Sequence, residues 1–337
     1  MLTKAAFTTF VLSIVTVFTL ASASVRAGAQ DATPAAADLS ALSGTIESDG
    51  SSTVGPITAA VAEEFNAEAG DVRINVGISG TGGGFERFCG GETDIQNASR
   101  DIDEEEAALC ADGGVDFYRF EVAFDGITVV TSAENEFLEC LTVKELNTLW
   151  APDSTVTNWS DLNPDFPEEE VALFGPGTDS GTFDYFTDVV NGEEGASRED
   201  YTPSEDDNVI VEGVAGDPNS LGYFGYAYYE QNQDRLKAVE VDGGNGCVAP
   251  SPETIQDASY APLSRPLYVF VRAESLERPE VQEFMRFYLA QMPTLAPEVG
   301  YVASPEDTYT ADSEKLEGAI AGEAEPDGPE AAATPEA

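Results

Sequence analysis

The stretch Val72-Arg73-Ile74-Asn75-Val76-Gly77-Ile78 alternates apolar and polar residues and runs without a break into Ser79-Gly80-Thr81-Gly82-Gly83-Gly84-Phe85. The first part reads as a strand, and the small residues after it form a turn that opens a helix. The same unit stands on either side. Upstream, the strand Gly44 to Asp49 leads through Gly50-Ser51-Ser52-Thr53 to a helix starting near Pro56, with Ile57, Val61 and Phe65 on one face. Downstream, a strand over Thr93 to Ala98 ends in Ser99-Arg100 before a helical acidic stretch, Asp103 to Ala111. This rhythm of strand, polar turn and helix predicts an α/β fold with a largely parallel sheet, although no internal sequence repeat is evident.

Farther along, Phe120 to Ser132 is a β-rich run interrupted at Asp125-Gly126, where the chain is expected to pass into a second lobe. There, Thr142 to Trp150 reads as a helix and Val171 to Phe174 as a strand. The turn Gly175-Pro176-Gly177-Thr178-Asp179-Ser180-Gly181-Thr182 then leads to a helix over Phe183 to Val190. Leu221 to Tyr229 and Val239 to Val241 read as strands. A buried strand, Pro266 to Arg272, and an amphipathic helix, Pro279 to Met292, are expected to return to the first lobe.

The chain has 337 residues, enough for about two domains. Fifteen basic against 63 acidic residues give a net charge of −48, a field that repels nucleic-acid phosphates and anionic lipid. There is no histidine, which removes Ser-His-Asp and Cys-His catalysis, His-ligated zinc and haem, and any imidazole base. Residues 1–29 carry Lys4, the apolar run Ala5 to Leu20 and the Ala27-Gly28-Ala29 signal, and read as a secretory signal peptide. Its removal takes Lys4 and Arg26 but no acid, moving the charge from −48 to −50. Residues 30–43 are expected to be a disordered linker and 317–337 a disordered acidic tail.

The four cysteines, an even set in an exported chain, point to two disulfides among three connectivities. Proximity favours Cys89–Cys110, which leaves Cys140–Cys247. Metal binding is the weaker reading, because no closely spaced Cys pair exists, and no metal or other cofactor is expected.

Four places deliver Ser, Thr and Gly to the start of a helix: Ser51-Ser52-Thr53, Ser79-Gly80-Thr81-Gly82, Ser99-Arg100 and Thr178-Asp179-Ser180-Gly181-Thr182. Hydroxyls and unpaired backbone N–H groups at the positive end of a helix dipole suit an anion. Any one of them alone is explained as an N-cap. Four in one α/β chain converge if they lie at the carboxyl ends of neighbouring strands. Nucleotide motifs do not fit: Phe85 stands where a dinucleotide fingerprint needs a third glycine, and no Gly-Lys-Ser/Thr closes a P-loop.

In order and spacing, Gly50-Ser51-Ser52-Thr53-Val54, Ser79-Gly80-Thr81-Gly82-Gly83-Gly84-Phe85, Asn97-Ala98-Ser99-Arg100 and Asp179-Ser180-Gly181-Thr182 resemble the phosphate-binding proteins of ABC transporters, the PstS family. Leu221-Gly222-Tyr223-Phe224-Gly225-Tyr226-Ala227-Tyr228 is similar to that family's later glycine-tyrosine strand, and the resemblance covers roughly residues 44 to 300. It implies a two-lobe periplasmic-binding-protein type II fold with two hinge crossovers: lobe 1 from 44–123 plus 265–312, lobe 2 from 124–264. It also implies an exported monomer that takes inorganic phosphate between its lobes and passes it to the membrane permease of a phosphate ABC transporter, in the periplasm or on the extracellular face of the envelope. By the same resemblance, the phosphate contacts fall on Ser52, Thr53, Ser79, Thr81, Gly82, Ser180, Gly181 and Thr182. The charged positions depart from the family's best-known pattern. Arg100 follows the third strand's serine where an aspartate is expected, and Pro176-Gly177 replace an arginine ahead of the Ser-Gly-Thr turn. Arg100 is then the guanidinium expected at the anion, and Asp179 the substitute acceptor for the phosphate proton.

Rival readings are a sulfate or other tetrahedral-oxyanion binder, a surface protein that keeps the fold without the ligand, and an extracellular phosphoester hydrolase using Ser52 or Ser180. The lack of histidine and of a metal cluster argues against the last, and no catalytic residue is assigned.

Overall fold

The computed structural model describes residues 39–328. The expected signal peptide, residues 30–38 of the linker and residues 329–337 of the tail lie outside them. Within the linker, Leu39–Ala41 form a short 3-10 turn.

The first units follow the expected rhythm: β1 (Gly44–Gly50), α1 (Val54–Glu68), β2 (Val72–Val76), α2 (Gly80–Cys89), β3 (Ile95–Ala98) and α3 (Glu104–Gly113). Helix α1 turns Val54, Ile57, Val61 and Phe65 inward. Helix α3 starts at a capping box, in which Asp103 accepts from the Glu106 backbone and Glu106 reaches back to that of Asp103. Gly50 and Gly84 let α2 lie directly on β1, since a Cβ at Gly84 would stand 2.6 Å from the Gly50 Cα.

Strand β4 (Phe117–Ser132) crosses Asp125-Gly126 without interruption. It is followed by β5 (Cys140–Thr142), α4 (Val143–Trp150), α5 (Trp159–Leu162), β6 (Ala172–Pro176), α6 (Gly181–Asn191), β7 (Thr202–Ser204), α7 (Asp207–Ala215) and β8 (Ser220–Gly225). Then come α8 (Tyr226–Glu230), β9 (Leu236–Ala238), β10 (Glu240–Asp242), β11 (Cys247–Val248), α9 (Pro252–Gln256), β12 (Ser264–Arg272), α10 (Pro279–Glu298) and α11 (Glu306–Ala321).

Nine strands form one sheet in the order β2-β1-β3-β12-β4-β8-β6-β7, with β9 also on β4, while β11-β10-β5 make a small second sheet. β1 pairs parallel with β2 and β3, and β6 with β7 and β8. β12 and the long β4 run antiparallel between these two parallel groups. Two large apolar cores result. One holds Phe65, Phe120, Leu267, Phe284 and Tyr288, and the other Ile127, Trp150, Trp159, Phe186 and Tyr223. β4 contributes Val122 and Ala123 to the first and Phe124 and Ile127 to the second, so the chain changes core within a few residues. The return is equally abrupt, from Leu263 in the second core to Leu267 in the first. A third segment touches this junction, where Val302 exchanges hydrogen bonds of 2.7 and 2.9 Å with Phe124.

Four local expectations are corrected. Leu221–Tyr229 is not one strand, because the chain turns into α8 at Tyr226 after Gly225, where a Cβ would meet the Gly300 carbonyl at 2.9 Å. The Val239–Val241 strand is split at Val239 between β9 and β10. Helix α10 runs past Met292 and through Pro293 and Pro297, because Leu295 and Ala296 continue its buried face. The expected tail is ordered through Gly328: α11 reaches Ala321, Glu317 pairs with Arg286 at 2.6 Å, and the Asp327 N–H donates to the Phe117 carbonyl at 2.8 Å. Acidity suggested a solvated tail, yet these acids hold partners on the folded body.

Both favoured disulfides form. Cys89–Cys110 ties α2 to α3 with Cα atoms 4.2 Å apart, and Cys140–Cys247 joins β5 to β11 at 6.1 Å. No helix among the described residues is long and apolar enough to cross a membrane.

Candidate anion-binding site

The loops after β1, β2 and β3 open at the carboxyl ends of adjacent strands, as a doubly wound sheet requires. Together with α6 and the start of β12 they enclose a cavity of about 520 Å³. Ser52, Thr53, Ser79, Thr81, Gly82 and Arg100 all line it, together with Ser51 and Ser99. From the second half come Gly181, Asp184, Tyr185, Asp188 and Glu194, and Arg265 enters from the return crossover.

Local hydrogen bonding sets which groups remain for a ligand. Neither Thr53 at the start of α1 nor Ser79 at the start of α2 makes a side-chain cap. At α1 the Ser51 hydroxyl instead accepts from the Thr53 and Val54 N–H groups at 3.1 and 3.4 Å, while α2 meets the cavity without a capping acceptor from Ser79. The Thr81 and Ser99 hydroxyls lie 3.1 Å apart, and the Gln96 amide donates to the Thr81 carbonyl at 2.8 Å, fixing that turn from behind. The Ser79 N–H is spent on Asp49, at 3.0 Å.

The fourth turn behaves differently. Ser180 accepts from the Thr182 N–H at 3.2 Å as an N-cap, and the Asp179 N–H points to Glu205 at 3.4 Å. Asp179, Ser180 and Thr182 do not line the cavity; of that turn's expected contacts only Gly181 does. A carboxylate does line the cavity farther along α6, at Asp184, whose Oδ2 receives the Ser52 hydroxyl at 3.2 Å. Burial raises the Asp184 carboxyl above the usual aspartate range, while Ser52 and Arg265 oppose the rise.

Two guanidiniums reach the site. Arg100 presents its fork to Glu106, with both bonds at 2.8 Å, and its side chain is 46% exposed. The inner guanidinium is that of Arg265, 19% exposed, which the sequence reading did not single out. Its Nη2 donates to Thr53 Oγ1 at 2.8 Å, Nε and Nη2 hold Asp125 Oδ2 at 3.2 and 3.1 Å, and its Cζ sits 3.6 Å above the Tyr185 ring. Burial pushes the Asp125 carboxyl up and Arg265 pulls it down, the balance expected of a buried ion pair. The available signal was a cation directly ahead of the buried strand Pro266 to Arg272, in a chain with few cations. Among the described residues, no group of three or more acids or cysteines is placed to hold a metal ion.

The geometry is thus a polar cleft between two cores, with hydroxyl and N–H donors on one wall, two guanidiniums beside them and carboxylates on the facing helix. Comparison with known proteins agrees. Protein SphX of Synechocystis is 48% identical over 273 residues, covering 80% of this chain and 81% of its own. "Phosphate-binding protein PstS" of Staphylococcus saprophyticus is 40% identical over 279 residues, covering 82% and 86%. The crystal structure of "a possible phosphate binding protein" from Planctomyces limnophilus superposes with a TM-score of 0.79 at 48% identity, over 82% of this chain and 99% of the other. The model of the PBP superfamily domain matches residues 35–291, and with it the chain belongs to the PBP superfamily, in its two-lobe α/β fold.

Proposed function

We propose that this protein captures inorganic phosphate between its two halves and delivers it to the permease of an ABC transporter. The observation that carries this reading is the convergence of the first three predicted turns and Gly181 on one cavity with two guanidiniums. The phosphate-binding descriptions of its relatives in Staphylococcus and Planctomyces support it. Ser52, Thr53, Ser79, Thr81, Gly82 and Gly181 supply the cradle, with Arg100 and Arg265 as cations and Asp184 as acceptor. Ser180 and Thr182 serve the reading as the cap that shapes α6.

The net charge of −48 does not oppose it. Carboxylates beyond about 8 Å are screened at physiological salt, whereas each charge-assisted hydrogen bond contributes about 1.5–3 kcal/mol. Lobe 1 over 44–123 plus 265–312 and lobe 2 over 124–264 close about the β4 and β12 crossovers, excluding water from the ion. The protein acts as an exported monomer in the periplasm or on the outer face of the envelope, with no nucleic-acid partner, and as a carrier, not an enzyme.

Isothermal titration tests this directly. Phosphate is expected to bind 1:1, with Arg100→Ala weaker and sulfate the poorer competitor, and a chromogenic phosphate ester should release no product. An absence of heat with phosphate would refute the proposal.

A further inference from the structure

Arg265 stands opposite Asp125 in the β12–β4 ladder, at the point where both strands change core. Three neighbours from different parts of the fold meet there. Thr53 belongs to the β1–α1 turn and Asp125 to the outgoing crossover, while Tyr185 is on α6 of the second half. The Tyr185 hydroxyl in turn donates to the Pro262 carbonyl at 2.7 Å, gripping the returning crossover just before Arg265. On the far side of Thr53, the Tyr301 hydroxyl donates to its carbonyl at 2.9 Å, bringing in the third segment at the junction.

The use of the guanidinium's donors is uneven. Nε and Nη2 serve Asp125 and Thr53, whereas Nη1 makes no hydrogen bond to the protein among the described residues, in a side chain that lines the cavity. With the guanidinium already bonded to Thr53 on one half and stacked on Tyr185 of the other, and 19% exposed, Nη1 is the donor left for an anion oxygen. A bond there is made in full only when both halves hold the group in place. Such differential interaction is what a ligand needs in order to shift a conformational equilibrium.

We propose that Arg265 couples anion capture to closure: Nη1 takes an oxygen of the bound anion while the rest of the guanidinium is pinned to Thr53, Asp125 and Tyr185. Filling the cavity and fixing the angle between the halves are then one event. Tyr185 acts as a positioning residue that sets the plane of the guanidinium. This rests on the phosphate-capture reading and goes beyond it, because a cradle without this link would bind the anion without registering closure.

The test pairs calorimetric titration with small-angle scattering of the full chain, with and without saturating inorganic phosphate. Wild type is expected to bind and to shrink in radius of gyration. Thr81→Ala, altered only in the cradle, should bind at least about tenfold more weakly yet reach the same compact radius at saturation. Arg265→Lys keeps the charge but loses the planar fork, and Tyr185→Leu removes the ring beneath it. Both should bind at least about tenfold more weakly and remain expanded at saturation. If the lysine variant fails to fold beside the buried Asp125, Arg265→Gln with Asp125→Asn removes both charges and is expected to remain expanded as well. Full compaction of the Arg265 and Tyr185 variants would overturn the coupling and leave phosphate capture intact. A wild type that gives no heat with phosphate would instead overturn the capture reading on which the coupling rests.

Discussion

Gly181 and Thr53 meet across the cleft so closely that a Cβ on Gly181 would stand 2.7 Å from Thr53 Oγ1 and 2.9 Å from the Thr53 backbone nitrogen. Gly181 is the first residue of α6, where alanine is ordinarily welcome and typically adds about 0.4–1 kcal/mol through the unfolded chain. Gly181→Ala sets that gain against a clash with the Thr53 backbone, which must shift to accept the methyl group, so the melting temperature of the empty protein is expected to be unchanged or slightly lowered. Phosphate affinity should fall at least about tenfold, because the methyl group props the halves apart where several charge-assisted bonds must close. Calorimetric titration beside a thermal melt checks both signs, and wild-type affinity in the alanine variant would show that the halves do not approach at this point.

The same pair shows how far the sequence could be read. Loops β1–α1, β2–α2 and β3–α3 were legible because each strand hands a Ser/Gly turn directly to a helix, and parallel topology forces those turns to one end of the sheet. The fourth turn was legible as a motif but not residue by residue. Whether Ser180 caps α6 or meets a ligand depends on how the second half is oriented, which local spacing does not encode. Arg265 was hidden for the opposite reason. It lies on no motif, and its place at the cavity comes from the register of β12 on β4, a contact 140 residues apart in the chain. Helix α11 was missed because acidic composition alone cannot distinguish a solvated tail from carboxylates that find backbone donors, as Asp312 does at the Glu121 N–H, 2.9 Å away.

That Asp312 contact makes α11 sensitive to pH. Burial, as the largest cause, raises its carboxyl to about 6. An acid raised above its unfolded value favours the folded state when protonated, so this contribution is present in acid and is lost as pH rises through about 6. Asp312→Asn keeps an acceptor for the Glu121 N–H and removes the charge. At pH 7.5 the variant should be more stable than wild type by on the order of 2 kcal/mol, and at pH 4 the two should nearly coincide. Denaturant melts at both pH values test this, and a constant difference between the curves would exclude Asp312 as the source.

The two disulfides should differ in worth. Cys89–Cys110 spans 21 residues and Cys140–Cys247 spans 107. Cross-linking limits the unfolded chain more for the longer loop, by about 3 against nearly 5 kcal/mol in the chain-entropy account. Replacing both Cys140 and Cys247 with serine should thus lower the melting temperature more than replacing Cys89 and Cys110 lowers it through the loop term alone. Packing adds to the short bridge, since Cys89 and Cys110 are buried beside Phe85 and Phe88, so alanine pairs are the cleaner comparison. Equal losses for the two alanine pairs would mean that loop length is not what governs these bonds.

Selectivity among oxyanions should turn on Asp184. Its carboxylate shares the cavity with the donors and is held by Ser52, and burial raises its protonation point above that of an ordinary aspartate. Under the proposed function, phosphate at neutral pH brings a P–OH for this carboxylate to accept. Sulfate carries none, so the carboxylate would face a sulfate oxygen's lone pairs and repel it, with no proton between the two acceptors. Asp184→Asn replaces that repulsion with an amide able to donate, and the preference for phosphate over sulfate should fall at least about tenfold, mainly through a gain for sulfate. In the wild type the same gain should develop as the pH falls through the raised Asp184 protonation point, and in the asparagine variant sulfate binding should show no such rise. Competition titrations from pH 4 to 8 separate the two effects. An unchanged phosphate-to-sulfate ratio in Asp184→Asn would move the discriminating acceptor to another residue.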